Sequence, residues 1–180
     1  AELWDPVKET WTVMASGTIP RLYHSIALLL PDARVLMTGG NGYNQAEIFS
    51  PPYLFTDPRP TIASAPAVVA KGQTIFVGTP DATGINSVSW VRLPSVTHTV
   101  NMNQAFFRAT AITQVTGGIN IVAPDNITVP SGHYMLFLLR NGVPSVARIV
   151  QVVPPPTTNP VPALASITPS SAAAGGPAFT

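Results

Sequence analysis

Short β-forming runs, each closed by a turn signal, follow one another along this chain and leave no room for a long helix. "TWTVMA", "HSIALLL", "RVLMTGG" and "AEIFSP" come first, then "QTIFVGT", "NSVSWVRL", "THTVNMN", "RATAITQV", "INIVAP", "YMLFLLR" and "SVARIVQVV". Valine, isoleucine, threonine and the aromatics suit a pleated, half-buried surface. The separators are turn chemistry: "PDAR" at 31–34, "KGQ" at 71–73, "GG" at 117–118 and "RNGV" at 140–143. Charged residues make up 9% of the chain, well under the usual quarter, which also fits a turn-rich all-β protein. The expected fold class is all-β.

Two proline-rich seams divide the runs. "SPPYLFTDPRP" at 50–60 separates the first group from a second whose spacing suits an antiparallel sandwich. "PPPTTNPVP" at 154–162 reads as an extended, semi-rigid spacer, because consecutive prolines hold the backbone near polyproline II. The expected units are therefore 1–55, 56–153, a Pro-rich linker at 154–163 and the opening of something further at 164–180. No signal-peptide pattern opens the chain at "AELWDP", and the last piece stops short of a fold, so the chain is expected to be cut at both ends.

Several function classes are disfavoured at once. Nine basic residues against eight acidic ones, with no basic cluster, offer no footprint for nucleic acid. The longest apolar runs fall far short of the ~20 residues a membrane-spanning helix requires, so no membrane partner is expected. There is no cysteine, hence no disulfide and no thiolate for metal binding or nucleophilic attack within the chain.

Tyr23 and His24 stand side by side ahead of an apolar run. On a regular strand neighbours point to opposite faces and cannot share a site. Either the pair is scaffold or the backbone turns there and aims both.

The first group carries features of a kelch repeat: "AELWDPVKETWTVM", with its Asp-Pro turn and Trp11, and "PRLYHSIALLLPDARVLMTGG", which closes on a Gly pair. Such a repeat is one four-stranded propeller blade, and a lone blade leaves faces and edges uncovered, so further blades are expected upstream. With "AEIFSPPYLF", "THTVNMNQ" and "GHYMLFLLRNGVPSVARIVQV" added, residues 1–153 resemble the C-terminal part of the galactose oxidase and glyoxal oxidase family of copper radical oxidases. The resemblance implies a kelch propeller blade at 1–55 followed by an immunoglobulin-like early-set (E-set) β-sandwich at 56–153, one of whose hairpins reaches into the propeller channel. The tail from Leu164 resembles the start of another immunoglobulin-like module of the IPT/TIG kind.

In that family a Tyr-His pair on a late blade and a His on the intruding hairpin bind copper. The matching positions are Tyr23 and His24 in "RLYHS" and His98 in "THTVN". The resemblance thus implies His24 and His98 as equatorial imidazole ligands and Tyr23 as the axial phenol and catalytic group, taking the substrate's hydroxyl proton. Nitrogen and oxygen donors in a tetragonal array are those Cu(II) favours. The family's radical-bearing tyrosine, cross-linked to cysteine, has no match: Tyr43, Tyr53 and Tyr134 lie outside the motif, so that Tyr-Cys cofactor is implied to come from the missing upstream blades.

The implied reaction is oxidation of a small alcohol, aldehyde or carbohydrate by dioxygen, giving hydrogen peroxide, outside the cell or at its surface, with this piece inactive alone. The alternatives are a non-catalytic extracellular module binding carbohydrate or protein, and a scaffold in which the three residues bind nothing. Arg-x-x-His-Ser recurs in ordinary kelch blades, and a His between two Thr on a strand is ordinarily a surface residue. His133 reads as structural, leading a core strand; Tyr134, Leu136 and Leu138 alternating with Met135, Phe137 and Leu139 mark a strand buried on both faces. Trp90 reads as an aromatic between two sheets, Asn141-Gly142 as a type I′ hairpin turn, and "NIT" at Asn126 as a glycosylation sequon. Ala105 stands where the family often has Arg, which removes a polar tie near the hairpin.

Overall fold

The structure is a computed structural model that describes residues 1–109, 111–125 and 129–156. The sequon at Asn126, linker residues 157–163 and the tail at 164–180 lie outside the described residues.

β1 (Glu2–Asp5) and β2 (Thr10–Val13) form an antiparallel hairpin. Asp5 Oδ1 closes its turn, accepting from the N–H of Val7 at 2.9 Å and of Lys8 at 3.1 Å, while Trp4 and Trp11 oppose one another across the ladder. β3 (Ser25–Leu29), β4 (Val35–Gly39) and β5 (Ala46–Phe49) follow as a three-stranded antiparallel sheet. Among the described residues the hairpin shares no ladder with that sheet.

The seam at 50–60 is packed. A 3₁₀ turn, Pro52–Phe55, sets Tyr53 and Leu54 against an apolar cluster, and the Tyr53 hydroxyl donates to the Ala33 carbonyl at 3.0 Å.

The sandwich comprises β6 (Val68–Ala70), β7 (Thr74–Gly78), β8 (Ser87–Arg92), β9 (Val96–Thr97), β10 (Val100–Asn101), β11 (Phe106–Ala109), β12 (Ile112–Val115), β13 (Gly118–Val122), β14 (Gly132–Arg140), β15 (Val143–Pro144) and β16 (Arg148–Val153). One sheet runs β11-β8-β14-β16-β6, with β15 added on β14; a second runs β12-β13-β7; β9 and β10 pair only with each other. The ladders are antiparallel except β16 with β6, which is parallel and departs from the antiparallel expectation. "RATAITQV", read as a single strand, is split: β11 pairs with β8 in the larger sheet and β12 with β13 in the smaller. A strand that changes sheets in this way makes a corner of the sandwich, where the twist of the two layers separates them.

β14 explains why "YMLFLL" is apolar throughout. Tyr134, Leu136 and Leu138 enter the core between the two sheets with Trp90, Ile119, Ile121 and Val150. Met135 and Phe137, on the other face, join Ala33, Ala147, Leu29, Tyr53 and Leu54, closing the sandwich against the β3–β4 turn and the seam. Each fully buried leucine there stabilises the fold by about 1.5–3 kcal/mol. Trp90 is wholly buried as expected, though its indole N–H has no hydrogen-bond partner among the described residues. Asn141 and Gly142 have φ of 51° and 84°, the double left-handed turn expected of them. Ala105 packs against the same core, and its carbonyl accepts from Arg92 N–H at 2.9 Å.

Candidate metal centre

Tyr23 and His24 occupy a turn entering β3, closed by Ser25 N–H donating to the Leu22 carbonyl at 3.1 Å. His24 has φ +67°. Left-handed backbone at a non-glycine residue costs on the order of 1 kcal/mol, and here it lets neighbouring side chains converge: the two ring centroids are 4.1 Å apart.

The sequence builds this turn from a glycine pair and an arginine. Gly39 has φ +74°, and a Cβ placed on it would sit 2.7 Å from the His24 carbonyl oxygen; a Cβ on Gly40, at φ +105°, would sit 3.4 Å from Leu22 N. Only glycines allow the end of β4 to approach so closely. Arg21 ties the same strands, with Nη1 donating to the carbonyls of Gly39 (2.9 Å) and Gln45 (3.0 Å) and Nη2 to Glu47 Oε2 (3.1 Å). Glu47 Oε1 accepts from the Thr18 N–H at 2.7 Å and hydroxyl at 2.8 Å. The Thr18 N–H, then its hydroxyl, then Arg21 hold the Glu47 carboxyl below its ordinary range.

His98 is at the tip of the β9–β10 hairpin, in its turn and not on a strand. His98 and Thr99 have φ of 52° and 66°, so both central residues of this two-residue turn are left-handed. That geometry ordinarily calls for Asn-Gly, and a β-branched threonine there is an outlier. Asn101 and Asn103 hold the hairpin's base. Asn101 Oδ1 accepts from Ser95 N–H (3.2 Å) and Asn103 N–H (3.1 Å), and Asn103 Nδ2 donates to the Leu93 carbonyl at 3.3 Å. The "NMN" string is thus the hairpin's clasp, a role the sequence reading did not assign to it.

The three rings meet. The His98 centroid lies 5.1 Å from Tyr23 and 4.6 Å from His24. His24 Nδ1 lies 3.0 Å from Asn41 Oδ1, and His98 Nδ1 lies 2.7 Å from Thr97 Oγ1. With Nδ1 hydrogen-bonded on each ring, Nε2 is the nitrogen left for a ligand. The site is open: His24 and His98 are exposed and the Tyr23 side is 60% exposed, so further donors or a substrate can reach it. Among the described residues no three His, Cys, Asp or Glu side chains converge. The donor set is therefore two imidazoles and a phenol, nitrogen and oxygen types that fit Cu(II). His133 does not join them; it is exposed on β14 opposite Gln151.

Comparison with known proteins identifies the second unit directly. Residues 59–152 match the family model "Galactose oxidase-like, Early set domain". The chain is 34% identical to an aldehyde oxidase, GLOX, of Vitis pseudoreticulata over 83% of its own length and 33% of the relative's. It is 33% identical to a galactose oxidase of Gibberella zeae over 84% of its length and 24% of that protein. Among solved structures it superposes on a fungal alcohol oxidase in complex with copper, with TM-score 0.76 and 33% identity, covering 84% of this chain and 35% of that one. The chain spans between about a quarter and a third of these relatives.

Proposed function

Because the chain belongs to the galactose oxidase and glyoxal oxidase family, we propose that Tyr23, His24 and His98 are three ligands of a copper site in an alcohol or aldehyde oxidase. The observation carrying this reading is the convergence of the three rings, with centroids 4.1–5.1 Å apart, on two turns with left-handed backbones. Residues 1–55 are read as part of a kelch propeller and 56–153 as the sandwich that lends it His98.

In the proposed reaction a primary alcohol loses the hydrogen on carbon and the hydroxyl proton, with two electrons, and becomes an aldehyde. Dioxygen takes up two electrons and two protons and becomes hydrogen peroxide. Copper, when bound, would supply a one-electron acceptor and a seat for the alcohol oxygen; the second electron belongs to a Tyr-Cys radical partner, which this cysteine-free chain does not supply. His24 and His98 would hold the metal through ring nitrogens, and Tyr23 Oη would receive the hydroxyl proton. The 180 residues alone are expected not to turn over, since without cysteine they cannot form the Tyr-Cys partner. Substrate is a small alcohol, aldehyde or carbohydrate, and the location proposed is extracellular or at the cell surface. Among the described residues no helix is long and apolar enough to cross a membrane.

Metal analysis of the intact protein tests the reading. Stoichiometric copper, lost in His24→Ala and in His98→Ala together with alcohol-dependent peroxide formation, is the expected result. Copper content unchanged in both variants would overturn it.

A further inference from the structure

We propose that Asn41 is a positioning residue that sets the tautomer of His24, so that Nε2 is the nitrogen this ring presents to the centre. The purpose of that choice rests on the copper reading above; the choice itself does not.

An amide oxygen accepts hydrogen bonds and cannot donate them. Asn41 Oδ1 lies 3.0 Å from His24 Nδ1, and this pair makes a hydrogen bond when the proton sits on Nδ1, which leaves the lone pair on Nε2. An imidazole left to water favours the opposite tautomer, with the proton on Nε2 and the lone pair on Nδ1. Asn41 reverses that preference. The comparison with His98 sharpens the point: its Nδ1 faces the Thr97 hydroxyl at 2.7 Å, and a hydroxyl donates or accepts equally well, so Thr97 holds that ring without choosing its tautomer.

The position of Asn41 suits this task and little else. It is exposed, in the β4–β5 connection, between Gly40 at φ +105° and Gly42 at φ +83°. Its side chain reaches back to His24 and joins the connection to the ring cluster. Outer partners of this kind orient metal-binding imidazoles, and their loss lowers metal affinity about 10–100-fold. Because Asn41 is exposed, its replacement spares the core.

The test is ring-nitrogen NMR of the intact protein labelled with ¹⁵N-imidazole histidine, metal-free and in alkaline buffer, with His24→Gln assigning the signal. Wild type and Asn41→Asp, which both present an acceptor, are expected to hold His24 with its proton on Nδ1. Asn41→Leu, similar in size but without the acceptor, is expected to shift His24 toward the Nε2-protonated form and leave His98 unchanged. A wild-type His24 protonated on Nε2, or an Asn41→Leu spectrum identical to wild type, would overturn the proposal. Titration with Cu(II) then reads the consequence: affinity about 10–100-fold weaker in Asn41→Leu and restored in Asn41→Asp. A wild-type protein that takes up no copper would refute the metal reading alone, because the tautomer is read without metal.

Discussion

The backbone N–H of Thr99 donates to the carbonyl of Ser25 at 3.1 Å, joining the tip of the sandwich hairpin to the first residue of β3. Ser25 follows His24 and Thr99 follows His98, so this bond ties together the two turns that carry the imidazoles. The Ala147 N–H, donating to the Pro31 carbonyl at 2.8 Å, makes the same connection farther back.

Thr99→Pro would remove this donor and impose φ near −65°, which the turn at φ +66° cannot accept. Circular dichroism of the intact protein should keep its β signature, while calorimetry should show copper uptake lost. Thr99→Gly keeps the N–H and tolerates the left-handed backbone, so its uptake should match wild type. Equal uptake by the proline variant would refute the role given to the hairpin tip.

Gly39→Ala leaves every ligand in place yet puts a methyl 2.7 Å from the His24 carbonyl at a residue with φ +74°. The main chain at His24 must move. Copper affinity should fall at least tenfold, with a melting temperature lowered by only a few degrees, consistent with a strain on the order of 1–3 kcal/mol. An unchanged affinity would mean that the turn is not held by this approach.

Phe137→Ala opens a cavity where the outer face of β14 meets Ala33 and Tyr53. Urea denaturation should register a loss of about 3–5 kcal/mol. Copper uptake should weaken as well, because this contact sets the β3–β5 sheet against the sandwich. A loss under about 1 kcal/mol would show that the face is not a true core.

Glu47 carries a pH dependence whose sign follows from its depressed pKa. Thr18 and Arg21 favour the carboxylate in the folded state, so its stabilisation is present above the ordinary glutamate range and is lost as pH falls through the lowered folded value. The melting temperature should therefore drop on the acid side, and Glu47→Gln should flatten that drop while lowering stability at neutral pH. Parallel acid limbs in the two proteins would contradict this.

Much of the fold was legible from local pattern. The two-faced apolar run "YMLFLL" is β14, Asn141-Gly142 is a left-handed turn, and Trp90 is in the core. What local pattern missed is equally specific. The run at 108–115 serves two sheets, β16 pairs in parallel with β6, and His98 lies in a turn where β-forming residues suggested a strand. The Tyr23-His24 adjacency could be posed only as an alternative, and Asn41, Thr97 and Asn101 were not picked out as partners of the site.

The division has a physical cause. Periodicity, β-branching and Gly or Pro turn chemistry are preferences of neighbouring residues, so the sequence by itself determined an all-β chain, its main strands and the residue types, two imidazoles and a phenol, available to a metal. Left-handed backbone at His24, His98 and Thr99 runs against those local preferences and is held by distant groups: the Gly39 approach, the Arg21–Glu47 clamp and the Thr99–Ser25 bond. Tertiary structure alone decided that the three rings face one another, because the contacts that hold those turns join residues far apart in the chain.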